Sequence, residues 1–281
     1  MPQFDLIRAP TCLLPQAAYA SFALSLLRMC PLFHSREPET PPSIALVPTV
    51  FPTIAGAEIA AVFVGKRVAG DFYDSIRVGP ERVLIGLLDV GGRRENNRSI
   101  LATAQRIFRQ AGTEIFAPAD LNESDALTEL NLRINRELLE SEKGVRSCPA
   151  FIACYHEKFG TLCYTNAGHT PGLLRDHTGI AELAHTGLPL GLFSHATSDA
   201  PTVGMENGSC LLLVSRGVVE CGARSSGDGK IGLQRIKDLL QKTALTSAQD
   251  LCTSILSPLP ESGGNAPLCD DRTALALLRT A

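Results

Sequence analysis

The 281-residue chain is 44% apolar and 20% charged, carries a formal net charge of −3, and is only 5% aromatic with no Trp. This is the make-up of an ordinary globular protein. It excludes a phosphate-backbone binder, which needs a basic surface, and an aromatic stacking platform for nucleic acid. The nine cysteines are odd in number and scattered, with no C-x-x-C pair. A disulfide framework and a zinc site are therefore not expected, and the pattern fits a reducing cytoplasm.

Residues 1–42 read as a separate unit. Residues 16–30 are apolar and, as a helix, would be about 22 Å long, short of the roughly 30 Å of a bilayer core. Asp5 partly cancels Arg8, and the apolar run ends at Arg28, so neither an export signal nor a membrane span is expected. The expectation is an apolar helix that packs on the following domain or pairs two copies as a homodimer. Residues 34–42, with Pro38, Pro41 and Pro42, then read as a linker to a domain over 43–281.

Strand patterns follow at 58–64, 72–78 and 82–90, the last two joined by a Gly79-Pro80 turn signal. Helical spacing covers 99–110 and 124–139. In the second, Leu127, Leu130, Ile134, Leu138 and Leu139 share one face, and Ser124 is the expected N-cap. Strands resume at 150–156 and 161–166, then at 171–174, 180–184 and 209–214. Helices are expected at 233–242 and 247–255, and a last strand at 273–278. Hairpins separated by pairs of helices, without regular βαβ alternation, imply an α+β fold of antiparallel sheets covered by helices.

Acidic clusters sit at strand ends: Gly70-Asp71-Phe72-Tyr73-Asp74, Asp89-Val90-Gly91-Gly92 and Asp270-Asp271-Arg272-Thr273. They are far apart in the chain, so a fold that gathers them builds an all-oxygen cage for a hard divalent cation. Together with Ala69, Asn166-Ala167-Gly168-His169 and Gly187-Leu188-Pro189-Leu190-Gly191, these motifs stand in a telling order. Over residues 54–279 they resemble the PPM-type metal-dependent protein serine/threonine phosphatases, in the bacterial sporulation and stress-response (SpoIIE-like) branch.

The resemblance implies a four-layer α/β/β/α sandwich, two antiparallel sheets flanked by helices, with two Mg²⁺ or Mn²⁺ ions where strand ends meet. By similarity Asp89 would bridge the metals, the Val90 carbonyl would bind one, and Asp270 would complete the set. Asp71 would sit beside the metals, directly or through water, and Asp89 and Asp71 would be the catalytic carboxylates. The substrate implied is a phosphorylated regulatory protein. Paired cations suit the reaction, because they lower the pKa of a water and neutralise the phosphoryl oxygens. Asp271 reads as a strand-edge or capping carboxylate, His169 as a structural histidine, and the glycines of 187–191 as a tight turn.

The chain departs from the family at Ser215-Arg216-Gly217, where its members carry Thr-Asp-Gly or Ser-Asp-Gly. A guanidinium cannot lose its proton and cannot ligate a cation. Pointing inward, it would compete with metal for Asp89 and Asp270; such a charge pair is worth roughly 4 kcal/mol before desolvation at an effective dielectric of about 20. The segment after Val90 also differs, with Arg93, Arg94 and Arg98 in what reads as a polar exposed loop. Two readings stay open: a phosphatase with a reduced or reorganised metal set, holding two ions, one or none, and a pseudophosphatase that binds phosphoprotein.

Overall fold

The computed structural model describes residues 47–65, 70–90, 94–140, 147–195, 197–223, 229–257 and 271–280. The chain divides at Ser43, and the unit Ile44–Ala281 carries every element described here. The apolar segment at 16–30 and its linker lie outside the described residues, as do Ala69, Asp270 and the Gly91–Gly92 pair. No helix among the described residues is long and apolar enough to cross a membrane.

Among the described residues, ten strands form two five-stranded sheets. The first is ordered β1 (Ala57–Val64), β10 (Arg272–Arg279), β9 (Cys210–Val214), β6 (Gly172–Arg175) and β7 (Ile180–Leu183). The second runs β2 (Gly70–Arg77), β3 (Arg82–Val90), β4 (Ala150–His156), β5 (Thr161–Ala167) and β8 (Thr202–Gly204). All their pairings are antiparallel.

Successive strand residues face opposite ways, and here both faces are covered. In β3, Val83, Ile85 and Leu87 join Phe151, Tyr155, Leu211, Leu213, Leu275 and Leu277 in a core between the sheets. Leu84 and Leu88 point the other way, into a core with Phe108, Leu127, Leu130 and Ile134. That second core is roofed by α1 (Arg94–Ile115) and α2 (Glu123–Glu140). On the far side, Leu212, Ala274 and Ala276 pack with Val218, Ile236, Leu240, Leu251 and Ile255, from α3 (Arg216–Ala223), α4 (Gly229–Lys242) and α5 (Ala248–Leu256). The result is the α/β/β/α sandwich. The continuous apolar runs of β3, β9 and β10 belong to strands buried on both faces.

Local details differ from the sequence expectation. α1 begins at Arg94, so the polar segment expected as loop through Arg98 forms its first turn. Asn122, not Ser124, caps α2: its Oδ1 accepts from the backbone N–H groups of Ser124 at 3.0 Å and Asp125 at 3.3 Å. Ser247 caps α5 through its hydroxyl and the Asp250 N–H. The short β8 and the eight-residue α3 carry little periodicity and were not expected.

Asp74 is fully buried on β2 and faces α1, where Arg109 grips it with Nε at 2.6 Å from Oδ2 and Nη2 at 3.0 Å from Oδ1. Gln105 adds a bond to the same carboxylate at 3.3 Å, and its amide also pairs both backbone groups of Val47 at 2.8 Å. Asp74 is thus a structural clamp that ties β2 to α1.

Candidate active site

Asp71 and Asp89 are direct partners in the β2–β3 register. The period of two puts Asp71 beside Tyr73, and Asp89 beside Leu87, on the face between the sheets. Both lie where that face opens at the strand ends. Residue 70 has to be glycine, because a Cβ there would sit 2.2 Å from the Val90 carbonyl oxygen.

The opposite sheet supplies the rest of the site. The Thr273 hydroxyl donates to Asp71 Oδ2 at 2.8 Å, and Ser215 also bonds the Asp71 side chain. Ser215 is buried at the turn from β9 into α3, where its Oγ accepts from the Thr273 N–H at 3.0 Å. Asp271 is 7% exposed and lies against Gly65, where a Cβ would fall 2.3 Å from its Oδ1. Arg216 opens α3, with Nε 3.6 Å from Asp89 Oδ2. The arginine therefore points at the carboxylate that the family motif would pair with a metal.

Burial first, and then the negative charges of Asp89 and Asp271, push the Asp71 carboxyl up to about 7, against the opposing bonds from Ser215 and Thr273. Like charges paired across strands are unfavourable, and the structure brings the Arg216 guanidinium to Asp89. Asp71, Asp89 and the Val90 carbonyl are oxygen donors of the kind a hard divalent cation takes. Among the described residues, no group of three or more His, Cys, Asp or Glu side chains is arranged to hold a metal ion. Asp270, the remaining expected ligand, lies outside them. In donor chemistry the residues present fit a divalent cation, which would meet the Arg216 guanidinium at Asp89.

The other motifs build the frame. Asn166 is a hub: its N–H bonds the Thr186 hydroxyl at 2.9 Å, its Oδ1 accepts the His169 N–H at 2.9 Å, and its Nδ2 reaches the Leu183 carbonyl at 3.2 Å. Gly168 turns with φ +69°, and a Cβ there would press within 2.4 Å of the Pro189 ring. Leu190 then exchanges backbone bonds with Cys148 at 2.8 and 3.0 Å, and the Pro149 carbonyl takes the Asp89 N–H at 2.9 Å. The two loop motifs thereby fix the strand end that bears Asp89. His169 is buried, its Nδ1 lies 3.1 Å from the Thr170 carbonyl, and burial pushes it down to about 4. It is a neutral structural imidazole near neutrality. Cys148, close enough to feel the charge of Asp89, is pushed up to about 12 mainly by burial, which leaves it no nucleophile.

Sequence reasoning missed the hydroxyls of Ser215 and Thr273. The signal available was their position, each next to a motif residue on facing strand ends.

The raised Asp71 pKa gives an expected pH dependence. In metal-free protein the folded state keeps the Asp71 proton up to about pH 7, whereas an ordinary aspartate loses it near 3.8. Stability is therefore fullest below pH 3.8, falls as pH rises through this window, and levels off above about 7. The slope inside the window is about 1.4 kcal/mol for each step of one in pH, so the loss amounts to a few kcal/mol. Thermal unfolding in chelator should show Asp71→Asn close to wild type near pH 4 and clearly more stable at pH 8. Parallel curves across that range would contradict the assignment.

Two facing antiparallel sheets between helical layers, with carboxylates gathered at their open end, define a phosphatase domain of the PP2C class. The chain belongs to the SpoIIE family, whose model, Stage II sporulation protein E (SpoIIE), matches residues 79–280. Phosphoserine phosphatase RsbP of Bacillus subtilis (strain 168) is 25% identical over 156 residues, 55% of this chain and 38% of that protein. The matched region is thus well under half of that relative. Among solved structures, the RsbU and RsbW domains of Rv1364c from Mycobacterium tuberculosis align with a TM-score of 0.68 at 23% identity, over 82% of this chain and 63% of that one. The SiaA-PP2C domain of Pseudomonas aeruginosa aligns at 0.65 and 18%, over 79% of this chain and 86% of that one. At these identities the structures speak for the fold.

Proposed function

We propose that this protein is a cytoplasmic phosphoserine/phosphothreonine protein phosphatase with an altered metal site, acting on a phosphorylated regulatory protein of a partner-switching pathway. The observation that carries this reading is the Asp71–Asp89 pair, set side by side at the open end of the two sheets, with the Asp71 carboxyl pushed up by burial and by its acidic neighbours. Asp89, the Val90 carbonyl and Asp270 would hold Mg²⁺ or Mn²⁺, with Asp71 beside it. A bound cation would supply Lewis-acid polarisation of the phosphoryl group and a more acidic water. Ser215 and Thr273 orient Asp71, and the Cys148–Pro149 segment orients Asp89. Asp71, once deprotonated, is placed to accept a proton from water at that mouth.

A second reading, a pseudophosphatase that binds phosphoprotein without turning it over, is favoured by one observation: the Arg216 guanidinium reaches toward Asp89. Phosphate release from a phosphoserine peptide separates the two. The phosphatase reading expects Mn²⁺-dependent release by the wild type that disappears in Asp89→Asn. Peptide binding with no release at any Mn²⁺ concentration would leave the pseudophosphatase.

A further inference from the structure

Arg216 stands between two carboxylates. Its Nε is 3.6 Å from Asp89 Oδ2 on β3 and 3.6 Å from Glu220 Oε1, one turn along its own helix. The arginine side chain is 55% exposed and Glu220 45%, whereas Asp89 is 13% exposed. This nitrogen therefore makes an ion pair with each carboxylate at the same distance. A cation at Asp89 and the guanidinium compete for the same carboxylate, and arginine cannot resolve the contest by losing its proton. It has to move.

Glu220 offers a place to go. Residues four apart on a helix are neighbours, so a small rotation of the exposed side chain transfers the charge from Asp89 to Glu220. Glu220 also offsets the unfavourable placement of a cation in the first turn of α3, where the helix dipole is positive.

We propose that Glu220 is the carboxylate on which Arg216 is parked when a divalent cation occupies Asp89, which makes Glu220 a positioning residue for loading the site. This rests on reading Asp89 as a metal ligand. Exchange of the guanidinium between the two carboxylates lets a chain with arginine at this position still accept metal.

The test is a double-mutant cycle read by calorimetric Mn²⁺ binding to the full chain, with no phosphopeptide present. Wild type, Arg216→Ala, Glu220→Gln and the double variant are compared, and thermal melts in chelator confirm that each is folded. Arg216→Ala is expected to tighten Mn²⁺ about tenfold, the low end for groups that touch metal ligands, and Glu220→Gln, one contact further out, to weaken it several-fold. The double variant is expected to match Arg216→Ala, because Glu220 acts only through the arginine. An equal loss from Glu220→Gln in both backgrounds would make Glu220 a ligand or a source of bulk charge and overturn the proposal. So would no effect of Glu220→Gln in the wild-type background. Absence of Mn²⁺ binding in all four, or binding that survives Asp89→Asn, would overturn the metal reading itself, and the parking role with it. A chain that binds Mn²⁺ with the expected epistasis but releases no phosphate would keep Glu220's role and defeat only the enzyme assignment.

Discussion

Arg216→Asp is expected to raise Mn²⁺-dependent phosphate release from a phosphoserine peptide by roughly a hundredfold. The substitution removes a fixed positive charge whose Nε lies 3.6 Å from Asp89 and puts a carboxylate where the family motif carries one. Groups that only touch a metal ligand already change affinity or activity by about 10- to 100-fold, and this change acts on the ligand set itself. Position 216 is 55% exposed at the first turn of α3, so the replacement fits without repacking, and an acid is favoured by the dipole there. The gain should appear mainly as a lower Mn²⁺ requirement. An Arg216→Asp protein no more active than wild type at saturating Mn²⁺, and no more sensitive to it, would mean that the arginine does not limit the site.

The second large effect concerns the fold. Arg109→Ala is expected to destabilise the protein by about 3 kcal/mol, because it leaves the fully buried Asp74 carboxylate without its cation. Losing one partner of a buried pair typically has an effect of about 3–5 kcal/mol. The lower end applies because Arg109 is 31% exposed and the Ser75 N–H and Gln105 still bind Asp74. For a domain of this size, 1 kcal/mol moves the midpoint by about 2–4 °C, so thermal unfolding should drop by on the order of 10 °C. Adding Asp74→Asn should recover much of that loss by removing the stranded charge. An Arg109→Ala midpoint within about 2 °C of wild type would show that the clamp between β2 and α1 is not a major support.

Much of the sandwich was legible because its strands are buried on both faces. The runs at β3, β9 and β10 are apolar almost without a break, and only a sheet packed on both sides needs such strands. The alternation within β3, with Ile85 and Leu87 toward the other sheet and Leu84 and Leu88 toward α1, emerges only when both cores are seen. α3 was not legible: eight residues with glycine in second place carry no helical signature, and the turn is set by Ser215 bonding across to β10. The Ser124 cap was misplaced by two residues because Asn122 offers a better acceptor for two N–H groups at once.

The pairing of Asp71 with Asp89 follows from the hairpin register; the sequence showed the hairpin but not which residues face each other across it. What no sequence pattern encodes is the direction of the Arg216 side chain, which depends on where α3 starts relative to the end of β3. Asp270, expected as the last ligand, lies outside the described residues. The structural residue Asp74, three positions from Asp71, faces the opposite side of β2, as strand geometry requires.

The most direct measurement is a crystal structure grown with Mn²⁺ and recorded at an energy where manganese scatters anomalously. An anomalous peak is expected at coordination distance, about 2.0–2.6 Å for hard cations and oxygen ligands, from an Asp89 carboxylate oxygen, with the Arg216 guanidinium turned toward Glu220. Density with no peak at Asp89 and the guanidinium seated on that carboxylate would contradict it.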